Sequence, residues 1–401
     1  MTSGVWPLEL GLDFLNHGSF GSCPSEVRDV QRAFQERMER EPVRFFVKEL
    51  EGLLDEARAA VARLVVCNPD DLAFVPNATY AVGSVLASLV LSPGDEIVVT
   101  DHGYNACNNA ARRWAERAGA RVVVAEIPFP IAGARDALDA VLSAVGARTR
   151  LVLIDHVTSP TGLVLPITEI VRGAQARGAR VLVDGAHGPG MLPLALDALG
   201  ADYYTGNLHK WICAPKVAAF LHVRRDRQAD LHPAVTSHGA NSARTDRSRF
   251  LVEFDWTGTS DPSAILAVPA AIRFMESLLP GGLPAVMEAN RSLALEARAI
   301  LTEALGVAAP APAEMIGALA AVPLPDAAHT AAPASALYAE PLQDALVARH
   351  RIQVPIVPWP ASPRRLVRVS AQRYNSRAQY ERLATALVAE LARERDERPN
   401  G

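Results

Sequence analysis

Three lysines, Lys48, Lys210 and Lys216, stand among 401 residues, and arginine supplies the rest of the 40 basic side chains. Arginine stays protonated at ordinary pH, so only a lysine can attack a carbonyl as a free amine. Lys210 has the setting for that. It lies in Gly206-Asn207-Leu208-His209-Lys210-Trp211, directly after a short apolar run. A lysine partly withdrawn from water has a lowered pKa and becomes a nucleophile. The plain alternative is a solvated surface charge, the state of most lysines. Asp184 closes another apolar run, in Asp184-Gly185-Ala186-His187. A carboxylate there either caps a turn or keeps a nearby ring nitrogen protonated by its charge. Asn77-Ala78-Thr79 follows a third run and opens a helix. Its free N–H groups, dipole end and hydroxyl suit a phosphate. The alternative is an ordinary asparagine cap.

The combination is sharper than its parts. A phosphate cradle, a carboxylate for a pyridine nitrogen and a lysine for an aldehyde describe pyridoxal 5′-phosphate (PLP) chemistry. His187, one turn beyond the aspartate, is spaced to reach the ring hydroxyl.

Such residues need a frame that brings strand ends together. From Leu72 to Val223 the chain alternates short apolar runs with helical stretches. The runs are Leu72–Val75, Glu96–Thr100, Arg121–Ala125, Leu151–Asp155, Val181–Asp184, Tyr203–Thr205 and Ala218–Val223. Most are continuous rather than alternating, as in strands covered on both faces. This predicts an α/β fold with a mostly parallel, doubly wound sheet. In such sheets ligands bind beyond the carboxyl ends of the strands. Those ends also carry Asp101-His102-Gly103-Tyr104 and Asp155-His156-Val157-Thr158-Ser159. Residues 1–24 read as an N-terminal arm and 25–262 as the large domain. Within it, Pro24–Leu64 reads as two helices broken at Pro42, and 225–262 as a long polar loop. Residues 263–401 read as a smaller α/β domain, with a helix near 281–305, a strand at Leu366–Ser370 and a closing helix started by Ser376. The Ala- and Pro-rich stretch 306–336 resembles a linker, yet holds the apolar run Met315–Leu324, long enough for a strand.

Composition narrows the class. The chain is 49% hydrophobic and 21% charged, ordinary globular usage. A net charge of −4 argues against a polyanion partner, so no nucleic acid is expected. The four cysteines are scattered, which fits a reducing cytosol and no CxxC metal site. None of the ten histidines forms an HxH or HxxxH pair beside carboxylates, so no metal is expected. The start, MTSGVWPLEL, has no secretory pattern, and no apolar run reaches membrane-spanning length, so a cytoplasmic protein without membrane contact is expected.

At this point the sequence resembles the class V aminotransferase superfamily of fold type I PLP enzymes, and within it the isopenicillin N epimerase-like proteins. The segments that carry the resemblance are LNHGSFGSCP (15–24), FVPNATYAV (74–82), TDHGYNA (100–106), IDHVTSPTGLVLPI (154–167), VDGAHGPGMLPL (183–194), YTGNLHKWICAPK (204–216), FDWTGTSDPS (254–263) and RLVRVSAQRYNS (365–376). The resemblance implies that Lys210 links to the cofactor aldehyde, that Asp184 pairs with the ring nitrogen, and that His187 and Ser159 lie near the ring hydroxyl. It implies a phosphate site of Ala78, Thr79, Asn207 and His209. Gly258 and Thr259 would reach the phosphate of a partner subunit, which makes a homodimer with shared sites. Arg368 would hold a substrate carboxylate, for which its planar fork is apt. Either His102 or Tyr104 would stack on the cofactor ring. Asn16 and His17 would line the substrate pocket, and Arg44-Phe45-Phe46 would reach it from the other subunit.

The reaction is less determined. The lysine would take a Cα proton from an amino acid, possible routes then being epimerisation, loss of a β-substituent such as a thiolate, or transamination. Epimerisation needs an acid or base on each face, and only Lys210 is named; β-elimination needs one base and a leaving group. The epimerase-like name suggests secondary metabolism and antibiotic biosynthesis. Cysteine desulfurases of this superfamily use a cysteine shortly before the carboxylate-binding arginine. Here that segment is IQVPIVPWPASPRR, and no cysteine follows Cys213, which argues against persulfide transfer. A nicotinamide enzyme lacks its GxGxxG after the first strand. A catalytically dead binding protein would not need Lys210 and Asp184. Arg244, Arg247 and Arg249 of the long loop either meet an anionic substrate tail or form a solvated face.

Overall fold

The computed structural model describes residues 5–327 and 340–396. The seven apolar runs all become strands. They are β2 (Leu72–Val75), β3 (Glu96–Thr100), β4 (Arg121–Ala125), β5 (Thr149–Asp155), β6 (Arg180–Asp184), β7 (Tyr203–Asn207) and β8 (Ala219–Val223), preceded in the chain by the two-residue β1 (Asp13–Phe14). One seven-stranded sheet runs β2-β8-β7-β6-β5-β3-β4. β8 runs antiparallel to both its neighbours, and the other pairings are parallel. Most of its residues are buried, as continuous apolar strands between helical layers must be.

The strand order also locates the site. From β3 the chain moves outward to β4, then returns to place β5 on the other side of β3. Beyond the carboxyl ends, the loops after β3 and β5 therefore diverge and leave a crevice. β5 and β6 are in register at Asp155 and Asp184, so two carboxylates end side by side.

A second sheet, of β9 (Leu319–Leu324), β11 (Ile356–Pro358) and β12 (Arg365–Ser370), is antiparallel in the order β11-β12-β9. The helices Gly282–Leu305 and Arg377–Asp396 pack against one another beside it. Tyr380, Leu383, Leu387 and Leu391 are the buried face of the last helix. The N-terminal segment ties the two sheets together. β1 pairs in parallel with β10 (Ile352–Gln353), and the Ser370 N–H donates to the Leu15 carbonyl at 3.0 Å.

Two expectations change in detail. The stretch 225–262 is not loop throughout: Ser248 caps a helix at Arg249–Phe254, which buries Phe250, Leu251 and Phe254. Six residues, four of them apolar, are too short a stretch to show helical periodicity in a polar context. Within 306–336, the described part contains β9, while 328–336 lies outside the described residues. Residues after 262 begin with helices Ser263–Leu266 and Val268–Ser277, which pack on the helices Ser25–Arg40 and Leu50–Val65. Among the described residues no single helix is long and apolar enough to cross a membrane.

Candidate active site

Lys210 sits in a tight turn between β7 and β8. Its carbonyl accepts from the Cys213 N–H at 3.0 Å and from His17 Nε2 at 3.0 Å. Gly21 lies against this turn with φ +71°, and a Cβ there would come within 2.0 Å of the His209 carbonyl oxygen. Only glycine meets both demands. Lys210 Nζ is 3.1 Å from His187 Nε2, and the Trp211 indole N–H donates to His187 Nδ1 at 3.2 Å. An indole nitrogen can only donate, so Nδ1 is the acceptor and the imidazole proton sits on Nε2. That N–H then faces the lysine amine, an arrangement that favours the neutral form of the amine over the ammonium. The electrostatics agree in direction. Burial first, and the Arg368 charge second, bring the Lys210 pKa down to about 8, against the opposing pull of Asp184 and Asp155. Burial and the same cations hold His187 well below the ordinary imidazole range.

Asp184 is buried at the end of β6. Its carboxylate accepts the Cys107 S–H at 3.1 Å and the Ala186 N–H at 3.0 Å. Burial raises both Asp184 and its neighbour Asp155. Asp155 rises well above the carboxylate range because the Asp184 charge adds to burial. Two buried like charges do not both ionise readily. The Asp184 charge therefore opposes ionisation of Asp155, while the Cys107 and Ala186 donors and the Lys210 charge favour the ionised form of Asp184.

The expected phosphate end is narrower than its sequence suggests. The Asn77 side chain caps its own helix by accepting the Tyr80 N–H at 2.9 Å. The Ala78 N–H is taken by Asn207 Oδ1 at 3.0 Å. Thr79, exposed in the first turn, keeps an outward place there. His209 donates from Nδ1 to the Ala218 carbonyl at 3.2 Å, and burial lowers its pKa to about 4. Gly258 and Thr259 do not line the Lys210 cavity.

That cavity has a volume of about 700 Å³ and is walled by Lys210, Tyr104, Ser159, Trp359 and Arg368, among others. Arg368, on β12, is buried. It donates to the Ser159 carbonyl at 2.6 Å and hydroxyl at 3.2 Å, and to Ser19 Oγ at 2.9 Å, with Asn16 Oδ1 at 3.5 Å. So Asn16 and Ser159 frame the arginine. His17 stands behind Lys210 rather than in the cavity; Tyr374 Oη lies 2.7 Å from its Nδ1. His102 is also behind the wall. Its ring nitrogens lie 2.7 Å from Thr161 Oγ1 and 2.9 Å from the Ile127 carbonyl, and its ring meets Trp359 edge-on. Tyr104, by contrast, opens onto the cavity. The loop arginines face elsewhere: Arg244 pairs with Glu51 and Asp246, Arg247 with Asp55 and Asp255, and Arg249 with Glu253. Phe46 packs on Trp256 in a separate cleft beside that loop.

With this geometry the comparisons with known proteins agree. The family model "Aminotransferase class-V" matches residues 23–383. The chain belongs to the class V aminotransferase family. Family members use PLP, and this chain is a PLP-dependent class V enzyme of the epimerase or C–S lyase kind. It is 36% identical over 387 residues to isopenicillin N epimerase of Amycolatopsis lactamdurans, covering 93% of this chain and 94% of that one. It is 33% identical over 397 residues to a probable chloroplastic L-cysteine desulfhydrase of Arabidopsis thaliana, covering 93% and 82%. Its fold is similar to that of the cystine C–S lyase C-DES, with a TM-score of 0.77 at 22% identity, covering 94% and 97%.

The donor set fits the family's cofactor: a lysine amine of lowered pKa, the buried carboxylate of Asp184, and a helix start bearing Thr79. Asp155 and Trp211 stand in the strand-end segments of the sequence without a role of their own, and Ser19 and Cys107 gave no separate signal there; Cys107 lies on the helix that follows the β3 loop. Trp211 is open to test as a positioning residue. In Trp211→Phe, His187 is free to carry its proton on Nδ1 and to accept from a lysine ammonium at Nε2. The lysine is then easier to protonate, so the alkaline-rising limb of the pH–rate profile moves up by about half to one pH unit. An unmoved limb with only a lower melting temperature marks Trp211 as packing alone.

Proposed function

We propose that the enzyme binds PLP through Lys210 and is a C–S β-lyase that cleaves an S-substituted cysteine to a thiol, pyruvate and ammonium. One observation carries this reading: the cavity presents a single amine base, Lys210, beside the carboxylate-binding Arg368, and none of the four cysteines lines it. Cys107 is committed to Asp184, and burial pushes the other three thiols up as well. A persulfide route lacks its thiolate.

Bound there, PLP supplies an aldehyde for the substrate amine and a protonated ring that takes up the charge left at Cα. The chain's own residues do the rest. Arg368, braced by Ser19 and Ser159, fixes the substrate carboxylate. The freed Lys210 amine takes the Cα proton. Asp184 would pair with the protonated ring nitrogen, and the His187 Nε2–H would serve as a donor beside it. The bond between Cβ and sulfur then breaks with the electron pair leaving on sulfur. Water completes the conversion to pyruvate and ammonium. Thr79, Asn207 and His209 would face the phosphate, with Gly258 and Thr259 added from a second subunit of a cytoplasmic homodimer.

A second reading, epimerisation, is favoured by Tyr104, whose phenol opens onto the same cavity and offers a second proton donor. Incubation with S-substituted cysteines in deuterated water separates the two. Thiol and pyruvate in equal amounts support the lyase. Deuterium at Cα with mixed chirality and no pyruvate overturns it in favour of epimerisation.

A further inference from the structure

We propose that the Lys210 cavity is built for an amino acid with two anionic ends, the second being a carboxylate on its side chain held by Arg112. The proposal rests on the reading above and names its substrate class: an S-conjugated cysteine whose sulfur substituent ends in a carboxylate.

The helix Asn105–Arg117 begins just after Tyr104. Tyr104, Asn108 and Arg112 follow at steps of four residues and so share one face. All three line the cavity that also contains Lys210 and Arg368. Arg112 is exposed, and its side chain donates to Asn109 Oδ1 at 3.1 Å. Among the described residues no carboxylate stands within ion-pair distance of it. The loop arginines make the contrast, since Arg244, Arg247 and Arg249 are each held by acids. The acid of the same cavity, Asp101, accepts the Ile127 N–H at 3.0 Å and lies 4.0 Å from His102, outside pairing range of Arg112. A guanidinium without an acid partner at the edge of a cavity is a ready carboxylate site, because its fork binds both oxygens.

The rest of the cavity suits what would lie between the two cations. Trp359, Pro360 and Val357 form an apolar wall, suited to a methylene spacer rather than to further charge. At about 700 Å³ the cavity falls within the range of small-molecule sites and leaves room for a tail beside a cofactor. Arg368 and Arg112 thus provide one cation at the reacting end and one along the helix face.

The test uses the holoenzyme and two probes of equal shape, S-(3-carboxypropyl)-L-cysteine and its uncharged amide, S-(3-carbamoylpropyl)-L-cysteine. The readout is the acid-over-amide ratio of kcat/KM, for the wild type and for Arg112→Gln. We expect the wild type to prefer the acid, and Arg112→Gln to lower that ratio about 10- to 100-fold, the size of a charged hydrogen bond. Arg112→Lys should restore part of it. A wild-type ratio near one, or a ratio unchanged in Arg112→Gln, overturns the proposal. The same pair is titrated against the visible absorbance of the bound cofactor, which reads binding without turnover. If neither probe releases thiol, the lyase reading fails. The acid-over-amide ratio of binding still decides the role of Arg112: a preference lost in Arg112→Gln supports it, and equal binding overturns it.

Discussion

Replacing Lys210 by alanine should remove the visible absorbance that borohydride fixes to the protein and lower turnover by about 10²–10⁴-fold, the range for a positioned general base. The expectation follows from the surroundings of the amine. It is held 3.1 Å from His187 Nε2, and burial with the Arg368 charge brings its pKa to about 8. The sign of the pH dependence follows. The base is the neutral amine, so the rate of proton removal rises as pH climbs through about 8 and falls below it. The same burial disfavours the charged lysine in the folded state, so the alanine variant should not melt earlier. An absorbance still fixed to protein in Lys210→Ala, by mass spectrometry of the reduced adduct, would sink the assignment.

Asp184→Asn is expected to lower kcat by about 10²–10³-fold, the loss typical of one preorganised electrostatic partner, while the fold holds or gains stability. Asp184 and Asp155 end adjacent strands in register, both buried, and the Asp184 charge adds to burial in raising the cost of charging Asp155. An asparagine keeps the shape, still accepts the Ala186 N–H, and removes the charge that opposes ionisation of Asp155. Asp155 then ionises more easily. A carboxylate kept only for structure would lose stability along with activity. Thermal melting of the variant beside its kinetics tells the two apart: a lower melting temperature with near-normal kcat would show that the charge of Asp184 serves the fold rather than the reaction.

Much of this was legible in the chain. All seven strands of the main sheet were readable as apolar runs; six are buried along most of their length, as strands covered on both faces must be, and the edge strand β4 is apolar at its centre though largely uncovered. Asp184 was readable because it closes such a run and Lys210 because it follows one, and strand ends of a doubly wound sheet meet at one crevice. Asn77 illustrates the limit. Its position at a helix start was clear, but a side chain that caps the Tyr80 N–H cannot also present that oxygen elsewhere. His17 and His102 were equally visible as residues beside glycines and polar groups. What they touch, Lys210's carbonyl and Thr161 with Ile127, depends on segments far away in sequence. The loop arginines attracted attention as charge, yet their acids Glu51 and Asp55 lie nearly two hundred positions earlier.

The sequence by itself determined the α/β architecture, the strand ends that carry chemistry, and the lysine and aspartate that define it. Local periodicity and residue type are enough for those, because they depend on burial of short segments. Only the tertiary structure decided protonation and direction. It placed Asp155 beside Asp184, so that the charge of Asp184 opposes ionisation of its neighbour. It set the Trp211 N–H against His187, which fixes the imidazole proton toward Lys210. It put Tyr104 into the cavity and His102 behind it, and it left Arg112 in the cavity while pairing the arginines of the loop. Each of these is a relation between groups distant in the chain, with energies set by burial and separation in space, and no spacing within one segment encodes them.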